Sequence, residues 1–453
     1  MVSASRTTYT ARWVLPIAQP PVEHGAVVVE QGRIVWVGRA DQCVRVDGGH
    51  VVELGDAVLM PGLVNAHSHL ELTGLRGFLE GLDFREWLRT LTIIRRDVLS
   101  EGDLHDAARL GIVEALRHGI TTLADCTDSA LPLTAMRELG VRGIGYVEVF
   151  GPDPAQCSGA MARLQQRVEA LRAEDTALVR TGVSPHAPYT VSASLFRATA
   201  EYARAERLPM AVHVAESAAE AAFVCDGTGP FAERLRDRGI AVAGQARSPV
   251  ALLEDTGVLA AQPLLIHVIR ADEEDLARIA HHGASIVHCP ISNAKLGHGI
   301  APLDRMLAHG IRTGLGTDSV ASNDRMHLLD EARQAVLCHA IRSGVPDSLG
   351  AHEALSLATH GSAGALGLAS EIGTLEPGKA ADLAAFPLLA GPVFDPAVTL
   401  VHVLAGHVTA TLVTVAGREL VRDGQVTVVQ PEWQMRQDAT GERLREWRRA
   451  GAS

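Results

Sequence analysis

Lysine is nearly absent: Lys295 and Lys379 are the two in 453 residues, and the other 39 of the 41 basic side chains are arginines. No block of consecutive basic residues occurs, and 53 carboxylates leave a formal charge of −12. The electrostatic footprint that a phosphate backbone demands is missing, so no nucleic acid partner is expected. No run comes near the roughly 18 uninterrupted apolar residues of a membrane-spanning helix. The opening MVSASRTTYTARWVLP carries Arg6 and Arg12 but not the apolar centre of a signal peptide, which points to a cytoplasmic protein with no membrane partner. Six cysteines, Cys43, Cys126, Cys157, Cys225, Cys289 and Cys338, lie scattered without CxxC spacing; they read as reduced thiols, not a disulfide framework or a zinc knuckle. Internal repeats and low-complexity stretches are lacking as well. What remains, 47% hydrophobic residues at a mean hydropathy of +0.11, is a globular composition. The length suits one α/β barrel of about 250 residues plus a smaller domain.

Residues 1–60 read as short strands, GAVVVE, RIVWVGR and HVVELGDAVLM, separated by Gly/Asp turns. The last 80 or so contain similar runs, ADLAAFPL, TLVHVLAG and VTATLVTVAGREL, so both ends look all-β. Between them, short apolar runs alternate with segments of helical period. VLMPGLVNAHSH, GITTLADC, VRGIGYVEVFG, VRTGVSPHAPY, PMAVHVAE, PLLIHVI, ASIVHCPIS and RTGLGTDS make eight strands. Such repetition predicts an α/β fold, a (β/α)8 TIM barrel over 61–370, whose buried parallel strands read as continuous apolar runs. An open doubly wound sheet has the same periodicity. The two ends, 1–60 and 371–453, then form one composite β-sandwich with a C-terminal tail, since neither alone has enough strands to bury a core. The long stretch from Ala218 to Gln262 is expected to carry helices near the barrel mouth.

In a barrel the C-terminal ends of the strands face the mouth, where active sites lie. Strand one ends in Asn65-Ala66-His67-Ser68-His69, and histidines at i and i+2 face the same way and can clamp one metal ion. Strand five ends in His213 with Glu216 three residues on, strand six in His267, and strand eight in Asp318-Ser319. Each has a plainer reading, a satisfied core histidine for His213 or His267, a helix N-cap for Asp318 or Ser319. Five metal-capable side chains and one acid all falling at strand ends argue jointly for a site.

The run Pro61-Gly62-Leu63-Val64-Asn65-Ala66-His67-Ser68-His69, the HVAE of strand five, His267, Cys289-Pro290-Ile291-Ser292-Asn293-Ala294-Lys295-Leu296, Leu315-Gly316-Thr317-Asp318-Ser319 and the C-terminal GTLEPGKAADL together resemble the amidohydrolase superfamily. Within it they resemble the branch of chlorotriazine hydrolases and of guanine, cytosine and adenosine-type deaminases. The resemblance implies one divalent metal ion, Zn2+ or Fe2+, on His67, His69, His213 and Asp318, with a further position for water. Other branches bridge two metals with a carboxylated lysine on strand four. Strand four here reads Ser184-Pro185-His186-Ala187-Pro188-Tyr189, and both lysines lie more than 100 residues away, so that arrangement is ruled out by composition.

The same resemblance gives Glu216 the proton transfers, to a ring nitrogen and then to the leaving amine, and makes His267 the group that orients the attacking water and stabilises charge. Relatives that expel chloride lack this pair, because chloride leaves without a proton. Deamination is therefore expected, with His186 at a sugar hydroxyl and a small-molecule purine nucleoside or amino-heterocycle as partner; a homodimer stays open. Glu71 to Leu88, with HSHLEL followed by DFREWL, look like the aminodeoxyfutalosine deaminases of menaquinone biosynthesis. That resemblance names 6-aminodeoxyfutalosine as substrate and puts Glu71 and Ser319 among its contacts, with Arg76, Arg85 or Arg89 binding its carboxylate through a guanidinium fork. Deamination of adenosine, methylthioadenosine or S-adenosylhomocysteine, or hydrolysis of another cyclic C–N bond, is the alternative; a metal-free scaffold is a remote one.

Overall fold

The computed structural model describes residues 6–43, 49–346 and 348–451. Eight parallel strands alternate with helices: strand one Leu63–Ser68, two Ile120–Thr127, three Arg142–Val149, four Val179–Pro185, five Ala211–Val214, six Leu264–His267, seven Ser285–His288 and eight Thr313–Leu315. They pair in chain order as two four-stranded sheets, one to four and five to eight. Isolated parallel bridges, Val183 with Met210 and Ser68 with Asp318, link four to five and one to eight. Apart from Arg180 every residue of these strands is buried, which is why they read as unbroken apolar runs.

The helices between them start and stop where local chemistry dictates. In Glu273–His282, Asp272 accepts from the N–H of Asp275 while the Asp275 carboxylate returns to the N–H of Asp272. Acids fill the first turn, His281 and His282 the last, and Gly283 ends the helix at φ +68°. The Ala218–Gln262 stretch holds the expected helices, Ala218–Asp226, Gly229–Asp237 and Pro249–Asp255.

Both ends of the chain share one nine-stranded sheet. Ala57–Pro61 pairs antiparallel with Leu383–Pro387, Leu59 opposite Ala385, and Arg6–Val14 joins the N-terminal strands to this seam. Gly62 carries the chain from that sheet into strand one, where a Cβ would lie 2.2 Å from the Thr121 side chain. A buried ion pair fixes the sheet to strand three: Arg142 Nε donates to Asp382 over 2.8 Å, the side chains 5% and 2% exposed.

Two expectations fail at the C-terminal end. TLVHVLAG is helical, not a strand: Asp395 caps the N–H groups of Ala397 and Val398, Pro396 takes the first helical position, and Thr399–Leu404 continues the turn. Leu400, Val401 and Leu404 are buried, a helical spacing that the β-branched residues disguise. Nor is the end all-β. Pro431–Arg449 is a helix lying on Glu101–Arg117, with Arg436 paired to Asp106 and the Thr440 hydroxyl donating to Asp103 over 2.6 Å.

Candidate active site

Histidines from strands one and five converge with Asp318 from just beyond strand eight. The His67 and His69 rings lie 4.8 Å apart, and His213 is 5.0 and 5.5 Å from them. Asp318 Oδ1 stands 3.3 Å from His67 Nε2 and 3.6 Å from His69 Nε2. Carbonyls set the tautomers: Nδ1 of His69 donates to Cys126 O over 2.9 Å and Nδ1 of His213 to His186 O over 3.2 Å, leaving each Nε2 lone pair free. The second Asp318 oxygen accepts from the hydroxyls of Ser292, at 2.5 Å, and Ser322, at 3.1 Å.

Burial pushes all three imidazoles down, His69 to about 3 and His213 well below its ordinary value. Burial would raise Asp318, but His67 and His267 more than offset it and hold the carboxylate well below its usual range. Three neutral imidazoles and one carboxylate make a donor set suited to zinc or ferrous iron. His67 Nε2 is shut away from solvent with no hydrogen-bond partner, the mark of a nitrogen meant for an ion. Ala215, His267, Val268 and Asp318 all adopt positive φ, so non-glycine backbone strain collects at the ends of strands five, six and eight.

Beside this set lies an acid between two histidines. Glu216 Oε1 is 3.6 Å from His267 Nε2 and 3.4 Å from His298 Nε2. Burial would raise its pKa, yet His267 and His298 bring it below the ordinary value. His267 Nδ1 sits 2.9 Å from Asn293 Oδ1, which fixes the ring. Glu220, raised to about 8 chiefly by burial, accepts from the N–H groups of Ala215 and Glu216 and clamps the turn.

Residues 58–424 match the sequence pattern of the amidohydrolase family. The chain belongs to that family. A 5-methylthioadenosine/S-adenosylhomocysteine deaminase from Nitratidesulfovibrio vulgaris is 34% identical over 417 residues, 90% of each chain. An adenosine deaminase from Xanthomonas campestris with bound zinc superposes with a TM-score of 0.87 at 28% identity, covering 98% of this chain and 99% of that one. An aminofutalosine deaminase from Helicobacter pylori, in complex with methylthio-coformycin, has a TM-score of 0.77 at 21% identity, covering 92% and 100%, and shares the fold.

This amidohydrolase is a hydrolase of carbon–nitrogen bonds. Not every residue singled out by sequence reaches its centre. Arg76 is engaged by Glu114 and the Asp324 carbonyl, and Arg89 pairs with Glu86 at 3.3 Å. Arg85 and Arg89 are exposed, because helix Phe84–Asp97 turns Trp87 and Ile94 inward and these arginines out. Ser319 caps the short helix Val320–Asn323 by accepting from Ala321 N–H, the plainer of its two readings. Glu71 is buried and engaged by Arg95 at 2.5 Å and by the hydroxyls of Thr127 and Ser129. His186, lowered to about 4 by burial, does sit at the centre, its ring 4.8 Å from that of His213.

Sequence reasoning missed Arg95, which holds Glu71; Glu148, whose Oε1 stands 4.0 Å from His186 Nε2; Asn293, which fixes His267; and His298 beside Glu216. Glu148 was legible as a lone acid within an apolar strand and Asn293 inside the CPISNAKL run; Arg95, one of several arginines on helix Phe84–Asp97, and His298, on a loop, left no such signal.

Proposed function

We propose that this amidohydrolase deaminates the adenine ring of a nucleoside bearing a 5′-thio substituent, methylthioadenosine or S-adenosylhomocysteine. The name carried by the N. vulgaris relative supports this substrate class over 6-aminodeoxyfutalosine, and the committed states of Arg76 and Arg89 take away support for a carboxylate anchor there. The observation that carries the deaminase reading is Glu216, buried and facing two imidazoles at the edge of the donor set. Replacing an amino group by water requires one proton to reach a ring nitrogen and another to reach the leaving amine. A carboxylate in that position can relay the two in turn, the first from the attacking water to the ring nitrogen and the second from the hydroxyl then borne by the carbon to the leaving amine, and is a free carboxylate again at the end.

His67, His69, His213 and Asp318 would hold one divalent ion, which when bound lowers the pKa of water toward neutrality. His267, oriented by Asn293, stabilises charge at the reacting carbon. The domain reading that goes with this is a (β/α)8 barrel at 61–370 and a small β domain from 1–60 and 371–453, so that every one of these groups sits at the barrel mouth.

The test is ammonia release from methylthioadenosine, S-adenosylhomocysteine, adenosine and 6-aminodeoxyfutalosine. Catalytic efficiency should be highest on one of the first two, by about tenfold or more, which corresponds to about 1.4 kcal/mol of transition-state binding. A tenfold preference for 6-aminodeoxyfutalosine would restore the carboxylate reading, and release from none of the four would sink the deaminase.

A further inference from the structure

His298 Nε2 stands 3.4 Å from Glu216 Oε1, nearer than His267 Nε2 at 3.6 Å, and both imidazoles face that one oxygen. Among the described residues no other group pairs with the Glu216 side chain. The His298 side chain is 6% exposed, and its Nε2 is shut from solvent without a formed hydrogen bond. A buried polar nitrogen is seldom left so. Hydrogen bonds to a catalytic acid are commonly long until the substrate arrives and then shorten. Facing a carboxylate oxygen, the ring carries its proton on Nε2 and is a donor there.

The backbone delivers His298 to this place. It follows helix Pro290–Lys295 and lies between Gly297, at φ +70°, and Gly299, at φ +108°, conformations that residues with side chains rarely adopt. Its N–H donates to the Asn293 carbonyl over 2.9 Å, while the Asn293 side chain fixes the His267 ring. One residue therefore holds both imidazoles that face the acid. The His298 ring also meets the Phe84 ring, centroids 4.6 Å apart and planes at 89°. Phe84 opens helix Phe84–Asp97, whose Trp87 and Ile94 pack in one cluster with Leu444 of the C-terminal helix.

We propose that His298 is a positioning residue for deamination: its Nε2–H closes on Oε1 of Glu216 when the substrate enters and holds the carboxylate so that Oε2 carries both protons. This deepens the deaminase reading and rests on it. His298 gives up no proton of its own and makes no contact with the substrate. A carboxylate held by neither oxygen can turn its protonated oxygen away from the reacting ring between the two transfers. One held at Oε1 presents Oε2 in the same place each time. The plainer alternative is a loop histidine that only fills space against Phe84.

The experiment measures kcat and KM on whichever of methylthioadenosine, S-adenosylhomocysteine, adenosine and 6-aminodeoxyfutalosine is turned over best. Wild type is compared with His298→Ala, His298→Gln, Glu216→Gln and the double variant E216Q/H298A, with metal content and Tm for each. H298A should keep its metal and lose about 10–100-fold in kcat, the usual worth of a partner that orients a working group, with KM within about threefold. H298Q, whose amide brings an N–H near the Nε2 position, should return to within about fivefold of wild type. In the E216Q background H298A should change kcat by less than about threefold, because a residue that acts through Glu216 has nothing left to position. Wild-type kcat in H298A, an equal loss in both backgrounds, or a raised KM at unchanged kcat overturns the proposal. Equal losses of kcat and Tm in H298A and H298Q overturn it in favour of space filling. If none of the four nucleosides is turned over, the deaminase reading falls by itself, and the contact is judged in crystals of metal-loaded protein. A Glu216 side chain in the same rotamer in wild type and H298A overturns it, and one turned or split between two conformers in H298A upholds it.

Discussion

The backbone N–H of Asp318 donates to the carbonyl of His67 over 3.0 Å, and Oδ1 of the same aspartate stands 3.3 Å from Nε2 of the same histidine. Strand one and Asp318, three residues past strand eight, thus meet at one point through a backbone hydrogen bond and through two ligand atoms that one ion would bridge. The donor set exists only when the first and last parallel strands meet, so holding an ion and holding the fold together are the same event energetically.

Protein loaded with its native metal should therefore contain about one equivalent per chain, as a three-His, one-Asp set implies. Asp318→Asn should lose most of it in elemental analysis and melt at a lower temperature, while chelation should lower the wild-type Tm and spare that of the variant. A second tightly held equivalent, or an Asp318→Asn protein with full metal and an unchanged Tm, would contradict the assignment.

Glu216→Gln should behave in the opposite way. Glu216 faces His267 and His298 but stands outside the four-residue set, so metal content and Tm should hold while turnover falls by about 10²–10⁴-fold, the usual worth of a general acid–base group. Asn293→Ala, which frees the His267 ring, should lower kcat with little change in KM. Near-normal turnover in Glu216→Gln would move the proton transfers to another group.

The difference in legibility between these residues is physical. His67, His69, His213, His267 and Asp318 could be read because each terminates an apolar run, and a run buried on both faces announces its own end. Arg95 could not be separated from Arg85 and Arg89 by composition; only the facing of helix Phe84–Asp97, set by Trp87 and Ile94, decides which arginine turns inward. Thr399–Leu404 misled because Thr399, Val401 and Val403 carry strand propensity, whereas the cap at Asp395 and burial of Leu400, Val401 and Leu404 make the segment helical. Tertiary demands overrode local preference there. Strand Arg6–Val14 was hidden for a related reason: its half-buried pattern becomes meaningful only beside Val22–Glu30 and Ala57–Pro61.

Arg142→Ala tests the attachment of the terminal sheet. Removing the arginine leaves Asp382 buried, without its paired cation, which costs about 3–5 kcal/mol. The urea midpoint should fall accordingly, and replacing both partners, Arg142→Met with Asp382→Leu, should recover much of the loss. A single variant within about 0.5 kcal/mol of wild type would show that the pair contributes little.

Acid stability should carry the signature of a histidine pair away from the site. The His118 and His327 rings lie 4.3 Å apart; burial first, and for His118 the neighbouring His327, bring both to about 4. His327 Nδ1 accepts from the N–H of Asp330 and must be unprotonated to do so. Between about pH 6.5 and pH 4 the unfolded chain binds more protons at these positions than the folded one, so their contribution is complete above the unfolded value and is lost as pH falls through that window. Urea unfolding of His118→Gln/His327→Gln should show a shallower decline between pH 6.5 and 4.5 than wild type; parallel curves would assign the acid sensitivity elsewhere.

Gly316 offers a test of the site through packing alone, since it carries no side chain to do chemistry. It lies between strand eight and Asp318, and its N–H donates to the His288 carbonyl over 3.0 Å. A Cβ there would stand 2.9 Å from the His67 Cβ, 2.9 Å from the His67 backbone N and 2.9 Å from Val287 Cγ2. The backbone of strand one cannot give way, because His67 is tied at its carbonyl to Asp318, so the methyl group of Gly316→Ala must push the His67 ring or spread strands one and eight. Overpacking of this kind costs about 1–3 kcal/mol. The variant should melt lower than wild type, retain less metal after dialysis and lose activity in proportion to the metal lost. Activity that returns when excess zinc or ferrous iron is supplied would trace the defect to His67. Full metal occupancy with wild-type turnover and Tm would mean that strands one and eight are less tightly closed than these contacts imply.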